Sequence, residues 1–111
     1  MDILEALFGN KTAERVLLYI ANYEEGHISG IAKTFGIPKS QVYKQLIRLE
    51  GSDILVGRNV GNLRVFSINP RCYFKKELEA LLKKALRYLP EDERDKFFMQ
   101  RRRPRKTGKR L

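Results

Sequence analysis

The stretch IAKTFGIPKSQVYKQLIRLE, Ile31–Glu50, decides the fold. Its second half places Val42, Leu46 and Leu49 at i, i+4 and i+7, which is one buried stripe on a helix running to about Glu50. Its first half belongs to a shorter helix ending near Phe35, with Ile31, Ala32 and Phe35 facing inward and Ser29 as its expected N-cap. Gly36 suits a helix C-terminus that needs a positive φ, and Pro38 suits a helix start. Two short helices joined by a tight, Gly-containing turn make the helix-turn-helix pattern.

Upstream, Ala13, Val16, Leu17 and Ile20 fall on one helical face, so a helix is expected over residues 12–23. Asn10 is placed to cap it, and Glu24-Glu25-Gly26 ends it. Downstream the period changes. Residues 54–59 and 64–69 are rich in β-branched and aromatic side chains and read as two strands. Val60-Gly61-Asn62-Leu63 reads as their turn, with Gly and Asn supplying positive φ. The predicted fold class is mainly α with a small β-hairpin (α+β), a winged helix-turn-helix. The helical period returns over residues 73–89, where Leu78, Leu81, Leu82, Ala85, Leu86 and Leu89 make a long apolar stripe. Pro90 interrupts it. Glu91-Asp92-Glu93 then favours another helix start, which Phe97, Phe98 and Met99 would dock.

The chain has 111 residues, with 23 Lys and Arg against 13 Asp and Glu. Seven of those basic residues fall in residues 101–111, which hold no acid, so residues 1–100 carry only 16 against 13. That tail, with Arg101, Arg102, Arg103, Pro104 and Gly108, has little to bury and is expected to be disordered. Its charge suits nucleic-acid phosphates, a solubilising role or an acidic protein surface. The expected organisation is a DNA-binding domain over 1–70, C-terminal helices over 71–100 and the basic tail over 101–111. The single cysteine, Cys72, excludes an internal disulfide framework and a thiolate zinc site. His27 is the only histidine. No phosphate-binding Gly-rich loop, HExxH or nucleophile elbow is present, so neither an enzyme, a metal nor a cofactor is expected. No apolar run is long enough to span a membrane, and the N-terminus lacks the pattern of a secretion signal, so the expected location is cytoplasmic.

Residues 8–69 resemble the winged helix-turn-helix domain of bacterial transcriptional regulators of the ArsR and MarR type. Ile31–Glu50 is the most specific part of the likeness. The resemblance implies a third helix, about residues 38–50, in the major groove of double-stranded DNA. It also implies a wing, residues 54–69, on the backbone or minor groove, and homodimers held by flanking helices. Two departures stand out. Asp53 occupies the place where the family usually has Gly before the wing, and the cysteine pair of the metal-sensing members is absent.

With Val42, Leu46 and Leu49 turned inward, Lys39, Ser40, Gln41, Tyr43, Lys44, Gln45 and Arg48 are left for the outside of the third helix. Gln41 suits adenine and Lys44 suits guanine acceptors, while Lys39 and Arg48 suit phosphates. On the wing, Arg58, Asn59, Asn62 and Arg64 are the candidate DNA contacts. The Leu78–Leu89 stripe is expected either to pack back on the winged domain or to pair with a second copy. A dimeric repressor is the leading expectation. The alternatives are a protein-interaction module (small winged-helix proteins resembling this one serve as antitoxin-like partners of a nucleotidyltransferase), a general nucleic-acid binder that includes RNA, and a sensor with a ligand in the cleft under the Leu78–Leu89 helix.

Overall fold

The computed structural model describes residues 3–99. Its elements are α1 (Ile3–Phe8), α2 (Lys11–Tyr23), α3 (Ile28–Phe35), α4 (Lys39–Gly51), β1 (Leu55–Val60), β2 (Leu63–Ile68), α5 (Lys75–Arg87) and α6 (Glu91–Phe98). The two strands pair antiparallel, so the architecture is a winged helix: helices carrying one hairpin.

Local chemistry accounts for most boundaries. Asn10 Oδ1 accepts from the Ala13 N–H at 2.6 Å and caps α2. That helix ends at Glu24, held left-handed at φ 75° with its N–H on the Ile20 carbonyl. The cap of α3 is His27, not Ser29: His27 Nδ1 accepts from the Gly30 N–H at 3.2 Å. Helical bonding already begins there, because the Ile31 N–H reaches the His27 carbonyl at 3.0 Å, which leaves Ser29 inside the helix. Gly36 takes the left-handed conformation expected of it, φ 66°. Asp53 does the same after α4, φ 63°. The Ile54 N–H then bonds the Leu49 carbonyl and the Asp53 N–H the Glu50 carbonyl, each at 3.0 Å. These two bonds are a Schellman cap, with Asp in the place usually held by Gly.

The hairpin register runs from Leu55↔Ile68 to Val60↔Leu63. The turn is therefore only Gly61-Asn62, and each strand reaches one residue further into it than expected. Gly61 alone takes positive φ, 61°; Asn62 does not. A two-residue turn of the II′ kind needs positive φ only at its first central residue. The other edge of β2 is also occupied. Gly26 and Phe66 exchange both backbone hydrogen bonds, at 3.0 and 2.8 Å. A Cβ at residue 26 would lie 2.8 Å from Tyr19 Cε1, so the loop after α2 can approach the wing only with glycine there.

The core is built round α2, which touches α1, α3, α4, α5, α6 and β2. That is why its burial extends past the expected stripe to Leu18, Tyr19 and Tyr23. One apolar cluster runs from Leu4 to Phe98, so residues 71–99 share the core of the winged part. Helix α5 lies on α2, and it starts at Lys75 rather than Tyr73, whose side chain is 95% exposed. Leu78, Leu82 and Leu89 are buried in the chain's own core, Leu82 completely. Full burial of one such side chain is worth about 1.5–3 kcal/mol. Helix α6 is pinned by Phe98, which is buried, while Met99 stays exposed rather than docking. Tyr23 Oη donates to the Phe97 carbonyl at 2.8 Å and Asn22 Nδ2 to the Phe98 carbonyl at 2.9 Å. Among the described residues, no helix is long and apolar enough to cross a membrane.

Candidate nucleic-acid interface

Helix α4 presents its two sides unequally. Val42, Leu46 and Leu49 are buried, and Lys39, Ser40, Gln41, Tyr43, Lys44 and Arg48 are all exposed. Six of the seven residues that the pattern assigned to the outside thus share one solvent face, and Gln45, the seventh, is half-buried. Ile47 belongs to the same face and is 38% exposed. Sequence reasoning passed over it because an isoleucine on an amphipathic helix reads as core. The signal lay in its phase, one position beyond Leu46 and off the Val42–Leu46–Leu49 stripe.

Arg48 is oriented by its neighbours. Its Nε donates to Gln45 Oε1 at 3.0 Å, and the same oxygen accepts from Asn10 Nδ2 at 3.4 Å. Asn10 therefore caps α2 through its oxygen and reaches the outer helix through its nitrogen. Lys11, at the start of α2, is exposed beside this network.

The hairpin has two distinct faces, because directly paired residues point to the same side. Leu55, Ile68 and Phe66 lie on the inner face and are buried, with Gly57, Asn59 and Arg64 on that same face. Arg58 lies on the outer face opposite Val65, which is buried, while Val56, Val60 and Leu63 on that face are exposed. Asn59 and Asn62 are exposed near the tip. Both wing arginines hold carboxylates. Arg58 Nη2 donates to Glu25 Oε1 in the α2–α3 loop at 2.7 Å. Arg64 Nη2 donates to Glu50 Oε2 in the last turn of α4. The Arg64 guanidinium also lies over the Phe66 ring, 5.4 Å from its centroid. Arg101, Arg102 and Arg103 lie outside the described residues.

The stripe expected at a dimer interface divides in two. Leu78, Leu82 and Leu89 are covered by the chain itself, Ala85 and Leu86 are half-buried, and Leu81 is exposed. Tyr88, one further turn along from Leu81 and Ala85, is exposed as well. Between α2, β2 and α5 lies a cleft of about 290 Å³ lined by Ile20, Ser67, Ile68, Lys75, Glu79 and Lys83. Lys75 Nζ is spent on Glu79 Oε1 at 3.2 Å. His27 is occupied by its cap and Cys72 is buried. Among the described residues, no three His, Cys, Asp or Glu side chains gather as a metal site requires.

No protein-family model and no curated protein matches the chain. Among solved structures, the apo form of a double mutant of ZitR from Lactococcus lactis is similar, with a TM-score of 0.52 at 15% identity. The likeness covers 84% of this chain and 79% of that one. At that identity the likeness establishes the shared fold alone.

Proposed function

We propose that this protein is a sequence-specific, double-stranded-DNA-binding transcriptional regulator that acts in the cytoplasm as a homodimeric repressor. One observation carries the reading. The face of α4 opposite the core offers Lys39, Ser40, Gln41, Tyr43, Lys44, Ile47 and Arg48 together, none of them buried, and a wing is tied to the same helix through Arg64. In this reading α4 enters the major groove with its N-terminal half. Gln41 and Lys44 read base edges, Tyr43 and Ile47 meet thymine methyls, and Lys39 and Arg48 hold phosphates. The wing lies along the backbone with Arg58, Asn59 and Asn62, and Arg101–Arg103 add charge. A second copy pairs through Leu81, Ala85, Leu86 and Tyr88, the part of the α5 surface that the core leaves over.

Selection of genomic fragments by the full-length protein at physiological salt tests this. Enrichment of an inverted repeat with half-sites about one helical turn, roughly 34 Å, apart supports the dimeric regulator. Retention without sequence enrichment reduces the reading to general nucleic-acid binding. No retention removes DNA from the reading. The exposed Val56, Val60 and Leu63 on the outer wing face favour one second reading, a module that docks a protein partner.

A further inference from the structure

The two wing arginines are held differently. Arg58 donates to Glu25, and its side chain is 55% exposed on the outer face of the hairpin, against 48% for Arg64. Arg64 is seated on three sides. Glu50 takes its Nη2, Phe66 lies beneath its guanidinium, and Gly57 on the paired strand leaves the room it occupies. A Cβ at residue 57 would stand 2.7 Å from Arg64 Nε. A glycine in a strand interior weakens the strand, and it often marks a place where another group comes close. Here that group is a guanidinium, and its carboxylate partner belongs to the helix whose outer face is the candidate reading surface.

We propose that Arg64 is a positioning residue, a strut from the wing to Glu50 that fixes the angle between hairpin and α4, while Arg58 is the arginine that leaves its carboxylate for a phosphate. The seat of Gly57, Phe66 and Glu50 holds Arg64 by charge, by ring contact and by shape. Arg58, opposite the buried Val65, has the Glu25 carboxylate as its hydrogen-bond partner and, among the described residues, no ring beneath its guanidinium, and a phosphate competes for that charge on equal terms. The proposal rests on the DNA-binding reading and deepens it, dividing between the two arginines the backbone role that sequence reasoning gave to both.

Two measurements test it, one without DNA. In the free full-length protein, the Arg64 Nη–Hη NMR signal is expected to be shifted and slow to exchange, because Nη2 donates to Glu50. Glu50→Gln and Gly57→Ala should each return it to the position of a solvated arginine, with the fold retained by far-UV circular dichroism. A solvated signal in the unmodified protein overturns the strut, whatever the protein binds. The second measurement is the salt dependence of binding to a mixed-sequence duplex. Each lost phosphate contact lowers the slope of log K against log salt by about 0.9. Arg58→Ala should lower it by that amount, and Arg64→Ala should leave it unchanged. Glu50→Gln, which frees Arg64, should raise it by about 0.9. An Arg64→Ala slope that falls like that of Arg58→Ala overturns the division of roles and leaves DNA binding intact. Unchanged slopes in both arginine variants overturn the phosphate role of Arg58. If the duplex is not bound at all, the DNA reading fails and the NMR result alone decides the strut.

Discussion

Asp53 shows how much one residue's conformation decides. It closes α4 in a left-handed conformation and so turns the chain into the wing. Asp reaches that region more easily than most L-residues but less easily than Gly. Asp53→Gly is therefore expected to keep or slightly raise stability, and Asp53→Val to cost about 1–2 kcal/mol, read as midpoints of urea unfolding. Asp53 was legible only through the family resemblance, which expects Gly before the wing, a place that Asp can fill because it tolerates the left-handed region. The cap of α3 was not. Ser is a strong N-cap by composition, and His27 won because helical bonding starts two residues earlier, at its own carbonyl. On the outer face of α4, Lys44→Ala should weaken specific binding by about 1–3 kcal/mol and relax preference at one or two base positions. Equal weakening on every sequence would make Lys44 a phosphate contact.

Among the elements, α4 and α5 differ in how far pattern alone could place them. Both carry clear helical stripes. The stripe of α4 divided cleanly into a buried and an exposed face, since Val42, Leu46 and Leu49 have α2 and the hairpin to meet. The stripe of α5 is wider than one partner needs, and periodicity cannot say whether its surplus meets the same chain or another. The structure spends Leu82 wholly on the core. Leu82→Ala should cost about 2–5 kcal/mol of unfolding free energy, and a cost below 1 kcal/mol would mean the helix is loosely docked. The dimer is better probed at Leu81, which is exposed. Leu81→Glu should yield folded monomers by sedimentation. Dimers that persist would place the interface away from α5. The strand ends moved for a similar reason, since composition marks a turn region but only the register shows that two residues suffice to close it.

At the scale of the whole molecule, charge is divided between a nearly balanced body and a strongly basic end. Removing residues 101–111 takes away seven positive charges. The expected result is weaker DNA binding with a flatter salt dependence, and an unchanged slope would exclude the tail from the complex. The exit point of that end follows from the packing of α6. Phe97 and Phe98 lie against the ring of Phe35, at 5.0 and 5.9 Å between centroids, and Phe35 is the last residue before the turn into α4. The described chain thus finishes beside the hinge of the helix-turn-helix. Twelve residues follow Met99, and fully extended they would span about 40 Å at most. Under the proposed function, the basic residues would then be leashed to the helix that reads DNA, and their local concentration at a duplex held by α4 would be set by this short tether and not by the amount of protein in solution. Moving them to the N-terminus would keep every charge and change only the anchorage.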